Sequence, residues 1–235
     1  MSKTESRADA APDSGTPTTE PTDVQEQDAA AVATDGSGID DGRSWWLQRP
    51  EVSRVTGIVV FVLGVVGFVA STTLTIERIQ ILINPSYVPS CSINPVLSCG
   101  SVMVTAQARL FGFPNPLIGI AAFSVIIVTG VLTTTRVTLP RWYWLGQTIC
   151  LALGFVFVNW LAFQSLYRIN ALCPYCMAVW ALTPILLILS VGRLMGDSDR
   201  AHEIRGWLWV LLPLWYAIVI VAIGIRFWDY WSTLI

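Results

Sequence analysis

Charge is scarce in this sequence. Only 13% of its residues are charged, and the single histidine is His202. No basic patch exists to recognise nucleic acid, and no Rossmann or haem-attachment motif is present to hold those cofactors. No long internal repeat appears; "INPSYVPSC" and "INPVLSC" are similar neighbours, but two short turn-rich pieces make no repeat architecture. Aromatics are missing before Trp45, and residues 1–45 carry ten acids and three bases among Ala, Thr, Ser, Pro and Gly. Such a segment buries too little apolar surface to offset its ordering entropy, so it is expected to be a disordered acidic tail. It lacks the apolar stretch and cleavage site of a signal peptide.

What the chain does have is apolar length, with 54% hydrophobic residues and eleven tryptophans. Uncharged runs lie near 55–76, 115–135, 142–165, 173–192 and 207–225. Each has roughly the 20 residues needed to cross ~30 Å of hydrocarbon as a helix. Soluble buried helices would each show a polar face, and these do not. The expected fold class is therefore an all-α membrane protein with five transmembrane helices in residues 46–235 and a long loop over 77–114. With the N-terminus in the cytoplasm, Arg43, Arg49, Arg54, Arg136, Arg141, Arg193, Arg200 and Arg205 fall inside. Only Arg78, Arg109, Arg168 and Arg226 fall outside. The positive-inside rule thus predicts an N-in, C-out chain with loop 77–114 on the outer face.

Four of the five cysteines share that face. Cys91 and Cys99 lie in the loop, and Cys173 and Cys176 open the fourth span as Cys-Pro-Tyr-Cys. Pro174 suits a first helical position, and Cys176 returns to the face of Cys173 one turn later. Free amides and the helix dipole there favour a thiolate, and a low-pKa thiol both attacks and leaves readily. The alternative is an inert disulfide or two buried thiols. For Cys91 and Cys99 the alternative is a static staple around Asn94-Pro95. Taken together, the two pairs suggest a relay in which one pair attacks a disulfide in the other. A four-cysteine zinc site is the competing use, but seven residues between Cys91 and Cys99 exceed the usual half-site spacing, so no metal is expected. Cys150, inside the third span, is expected to act as a small apolar side chain. Electrons reaching Cys176 need an acceptor, and a lipid quinone is within reach of a thiol one turn below the surface.

"CSINPVLSCGSV", then "FGFPNPLIG", then "CPYC" resemble the vitamin K epoxide reductase family in its bacterial form, over roughly residues 55–228. The resemblance implies a four-helix bundle around a quinone of menaquinone or ubiquinone type, with a fifth, peripheral helix. It implies that Cys173 and Cys176 form the quinone-linked pair, with Cys176 engaging the ring. Cys91 would take electrons from a partner, and Cys99 would exchange with Cys173. Asn115 would hydrogen-bond a quinone oxygen, and Thr105, Met103, Ile118 and Trp180 would line the pocket. Helix capping is a second use for Asn115, and a backbone bond one for Thr105. Asn159 and Gln164 are further polar candidates in the third span, and helix–helix bonding explains them as well.

Three departures stand out. Ser92 replaces an acid common after the first loop cysteine. Trp180 stands where animal enzymes have tyrosine, which leaves epoxide reduction unsupported. The chain ends at Ile235 without the thioredoxin-like domain of many bacterial members, so the expected donor is a separate thioredoxin-like or DsbA-like protein outside the bacterial inner membrane. The implied function is a quinone-dependent thiol oxidase. A DsbB-type oxidase is the alternative enzyme, although its Cys-x-x-Cys precedes its spaced pair, the reverse of the order here. A structural or transport protein with loop disulfides is the non-enzymatic alternative.

Overall fold

The computed structural model describes residues 53–94, 96–195 and 199–232. The acidic segment 1–45 lies outside them. In chain order the elements are α1 (Arg54–Ile83), α2 (Cys99–Met103), a 3₁₀ turn (Ala106–Arg109), α3 (Pro116–Thr134) and α4 (Arg141–Gln164). A π-helical turn (Ser165–Ile169) extends α4, and α5 (Pro174–Met195), α6 (Asp199–Arg226) and α7 (Trp228–Trp231) follow. No strand occurs among the described residues; a single parallel bridge pairs Leu97 with Leu172.

Five of these helices are long and apolar enough to cross a membrane: α1, α3, α4 with its π turn, α5 and α6. In hydrocarbon every peptide group must find its partner within the segment, which makes an unbroken apolar run helical. Proline starts α3 and α5, where its missing N–H costs nothing. Pro184 and Pro213 sit inside α5 and α6, as transmembrane helices tolerate. Two helices exceed their expected spans. α1 continues through Glu77 and Arg78 to Ile83, and α6 begins at Asp199 rather than near 207. Charge ends an apolar run but does not end a helix: Asp199 starts α6, and α1 carries Glu77 buried against Ser90.

α1, α3, α4 and α5 form the bundle. α1 packs along α3 and α5, and α4 along α5. α1 and α3 meet backbone to backbone: a Cβ on Gly57 would lie 2.6 Å from Thr134 N, and one on Gly130 2.5 Å from Phe61 N. Small residues allow that approach in a bilayer, where close packing replaces the hydrophobic effect. The backbones of α3 and α4, although consecutive, stand apart and are bridged at one end, where the Thr129 hydroxyl meets the Tyr143 hydroxyl and Gln147 Oε1. The space between them is the cavity described below.

α6 is peripheral and buries only Ala201. Three of its side chains bond to the bundle. Trp215 Nε1 donates to Asn159 Oδ1 at 3.0 Å, and the Tyr216 hydroxyl to the Ala181 carbonyl at 2.6 Å. Arg226 donates through Nε to the Leu166 carbonyl at 3.0 Å and through its guanidinium to Asn170 Oδ1. The next residue, Phe227, enters the core beside Leu172, Leu166 and Trp180.

Candidate active site: two cysteine pairs above a cavity

The loop after α1 is shaped by short polar side chains. Asn94 Oδ1 accepts from the amides of Val96 and Leu97 at 3.0 and 2.6 Å, folding the chain into an Asx turn. That turn presents the Leu97 segment to the residues preceding α5. Leu172 N donates to the Val96 carbonyl at 2.7 Å, and Ser98 N to the Leu172 carbonyl at 2.9 Å. Ser98 also caps α2 through the Ser101 amide. Cys99, the first residue of α2, and Cys173, directly before α5, are thereby set side by side.

Cys91 and Cys99 form a disulfide, while Cys173 and Cys176 are free thiols. Cys173 Sγ lies 3.0 Å from Cys99 Sγ. Cys91, Cys99 and Cys173 are all buried, in one cluster with Leu74 and Met103. A hydrogen bond from the Cys176 thiol holds Cys173 below the usual thiol range, helped by the amides of Cys176 and Tyr175 and opposed by burial. This is the geometry of thiol–disulfide exchange: a thiol whose ionised form is favoured, touching one sulfur of a disulfide. The sulfurs of Cys91, Cys99 and Cys173 lie within 4.8 Å of one another, close enough to share a metal ion. Two of the three are bonded to each other, however, which leaves one free cysteine for such an ion.

Below the cysteines lies a cavity of about 870 Å³, within the range of small-molecule sites. Its walls come from α1, α3, α4, α5 and the 102–114 segment. Cys176 stands on its wall and also packs against the cysteine cluster and the Trp180 cluster. Asn115, Thr105, Met103, Ile118 and Trp180, the five residues expected near a quinone, all line it. Asn115 does not cap α3 with its side chain. Its Nδ2 donates to the Gln107 carbonyl at 2.7 Å and its Oδ1 accepts from Leu110 N at 3.2 Å. An amide nitrogen carries two hydrogens, so one remains for a ligand. Thr105 donates to the Val102 carbonyl at 2.8 Å and caps the 3₁₀ turn, so its hydroxyl hydrogen is committed to the backbone. Cys150 is exposed on the cavity wall rather than packed between helices. Asn159 makes its helix–helix bond to Trp215, and Gln164 leaves its carbonyl oxygen buried without a partner.

Sequence reasoning missed two neighbours of the site. Arg78 is the one charged residue among those lining the cavity. Glu77 is buried and accepts from both the amide and the hydroxyl of Ser90, the residue before Cys91. Both fell beyond the expected end of the first span. Continuing the apolar pattern through Ile76, Ile79 and Ile83 would have kept them on the helix.

A search of curated proteins finds no match to this chain. The family model described as "Vitamin K epoxide reductase family" matches residues 58–191, more than half of the sequence. The matched segment contains all four clustered cysteines and all but the outer ends of the four bundle helices, and it excludes α6. Such proteins are oxidoreductases that link protein disulfides to a quinone in the membrane. With two cysteine pairs in exchange contact at the mouth of an intramembrane cavity, the chain belongs to the vitamin K epoxide reductase family.

Proposed function

We propose that the protein is a quinone-dependent thiol oxidase that makes disulfides in an extracytoplasmic thioredoxin-fold partner. The observation that carries the reading is Cys99, bonded to Cys91 on one side and 3.0 Å from Cys173 on the other, with Cys176 on the cavity wall. A partner thiolate attacks Cys91, and Cys99 leaves as a thiolate. The partner's second thiol then displaces Cys91, completing the partner's disulfide. Cys99 attacks Cys173 of an oxidised Cys173–Cys176 pair, and Cys91 resolves the mixed disulfide. Two electrons and two protons finally pass to the quinone, giving a quinol and restoring the Cys173–Cys176 disulfide. The arrangement of a loop disulfide over two free thiols corresponds to the stage before quinone reduction.

The quinone of this reading is of menaquinone or ubiquinone type. Cys176, Asn115 and Trp180 would hold its ring, with Met103, Ile118 and Thr105 completing the pocket. Arg78, the charged residue of the lining, would supply positive charge to a quinone oxygen that becomes negative during reduction. The cavity wall on α4 runs from Trp142 to Leu161, ~29 Å of helix rise, which accommodates a polyprenyl tail. The arginine distribution favours a cytoplasmic N-terminus with the cysteines outside, and in this reading the membrane is a bacterial inner membrane. A more oxidising quinone drives electrons inward, ~30 mV corresponding to ~1.4 kcal/mol for a two-electron couple.

Purified protein mixed with reduced thioredoxin and menaquinone is expected to lose quinone absorbance as thioredoxin is oxidised. Cys176→Ser is expected to abolish that change while a Cys99–Cys173 mixed disulfide accumulates. Quinone reduction by the serine variant at the parent rate would overturn the reading.

A further inference from the structure

Glu77 presents a problem for the fold. A carboxylate removed from water costs free energy unless paired, and it lies 6% exposed near the end of a membrane helix. Its Oε1 accepts from Ser90 Oγ at 2.6 Å and from Ser90 N at 3.3 Å. The same carboxylate holds the neighbouring Tyr87 hydroxyl above its ordinary pKa. All of this attachment is concentrated on the four residues before Cys91. On the other side of Cys91, Ser92 Oγ accepts from the Gly100 amide of α2 at 3.4 Å. Cys91 is therefore held on both flanks, to α1 through Ser90 and to α2 through Ser92.

That attachment has a chemical consequence. Cys91 is only 5% exposed, although Val88 and Ile93 beside it are 72% and 71% exposed. Thiol–disulfide exchange requires an incoming thiolate to reach the sulfur it attacks. With Cys91 5% exposed, its sulfur offers an incoming protein thiol little access while the 84–92 segment is seated. The Gly100–Ser92 contact is long and neutral, whereas the Ser90–Glu77 pair is short and charge-assisted, the stronger class of bond.

We propose that Glu77 is a positioning residue for Cys91: its carboxylate latches Ser90 to α1, and release of that latch uncovers the Cys91 sulfur to an incoming thiolate. The role rests on the thiol-oxidase reading, in which Cys91 meets the partner. Glu77 touches no reacting atom; it sets how often the loop disulfide is open to attack. The latch also keeps small thiols from emptying the relay when no partner is docked.

The test uses the full chain with Cys91–Cys99 oxidised and no quinone present. Reduced thioredoxin is the probe, and loop reduction is followed by acid quench, maleimide labelling and mass analysis. Glu77→Ala is expected to open the loop disulfide about tenfold faster than the parent, the scale of one lost charge-assisted bond. Ser90→Ala, which keeps its amide, moves the rate in the same direction by less. Glu77→Gln, with an acceptor oxygen but no charge, falls between parent and alanine. Maleimide labelling of Cys173, 1% exposed, stays at the parent rate in all three. Loop reduction within about twofold of the parent in both Glu77→Ala and Ser90→Ala overturns the latch. Faster labelling of Cys173 in step with loop opening overturns it too, since general loosening then explains the gain. If Glu77→Ala does not fold, Ser90→Ala decides alone. Because quinone is absent, failure of the parent to reduce quinone would count against the oxidase reading and not against the latch.

Discussion

Cys99 has no exposed surface and two sulfur neighbours, Cys91 through a bond and Cys173 in contact. Exchange at such a sulfur is controlled by the attacking thiolate, since solvent cannot compete for it. Cys173 owes its lowered pKa first to the Cys176 thiol. Removing that donor raises the Cys173 pKa and reduces its thiolate fraction at a given pH. In quinone-free protein, the pH of half-maximal Cys99–Cys173 formation is thus expected to be higher in Cys176→Ala than in Cys176→Ser, whose hydroxyl still donates. Equal midpoints in a stopped pH series would remove Cys176 as the cause. At this scale the sequence was most legible where chemistry forces a spacing. Cys-Pro-Tyr-Cys can open a helix in one way, and it does. Glu77 was illegible because its partner is a serine thirteen residues away, and nothing in "IERIQ" announces Ser90.

Among the elements, α6 has an effect larger than its buried area. Arg226 holds both ends of the π turn, at the Leu166 carbonyl and the Asn170 side chain, and Asn170 adopts a left-handed backbone (φ 54°). Two residues later Leu172 makes the bridge that sets Cys173 beside Cys99. Arg226→Ala is expected to speed amide hydrogen exchange at Ala171 and Leu172 by about tenfold, with the middle of α5 unchanged. Asn170→Gly keeps the left-handed backbone and loses one bond, so it shows a smaller rise than Asn170→Ala, which loses both. Parent-like exchange in Arg226→Ala would refute the clamp. Sequence reading found the five helices because twenty uncharged residues leave a bilayer few choices. It could not find the Leu97–Leu172 bridge, a single pair with no strand-like alternation around it.

For the whole molecule, the deciding feature is that α1 and α3 touch through glycines while the backbones of α3 and α4 stand apart, bridged by the Thr129 side chain. Gly154 lies on the resulting cavity, and a Cβ there meets nothing within 4 Å. Gly154→Leu is therefore expected to fold normally and keep its loop disulfide while filling part of the cavity. Its KM for a long-tailed menaquinone should rise about tenfold, and that for a tail-less naphthoquinone should change little. Equal effects on both quinones would place the tail elsewhere. Composition exposed the membrane class at once. The cavity stayed hidden, because it depends on the distance between two helices whose sequences are equally apolar.

The bridge between Leu97 and Leu172 also has a meaning during synthesis. Cys91 and Cys99 are eight residues apart, whereas Cys99 and Cys173 are 74 apart. At ~5–20 residues per second, Cys173 follows Cys99 out of the ribosome by about 4–15 s. During that interval the loop pair can close before Cys173 and Cys176 have been made. Chain order thus gives the Cys91–Cys99 pair a head start over Cys173 in the choice of partners.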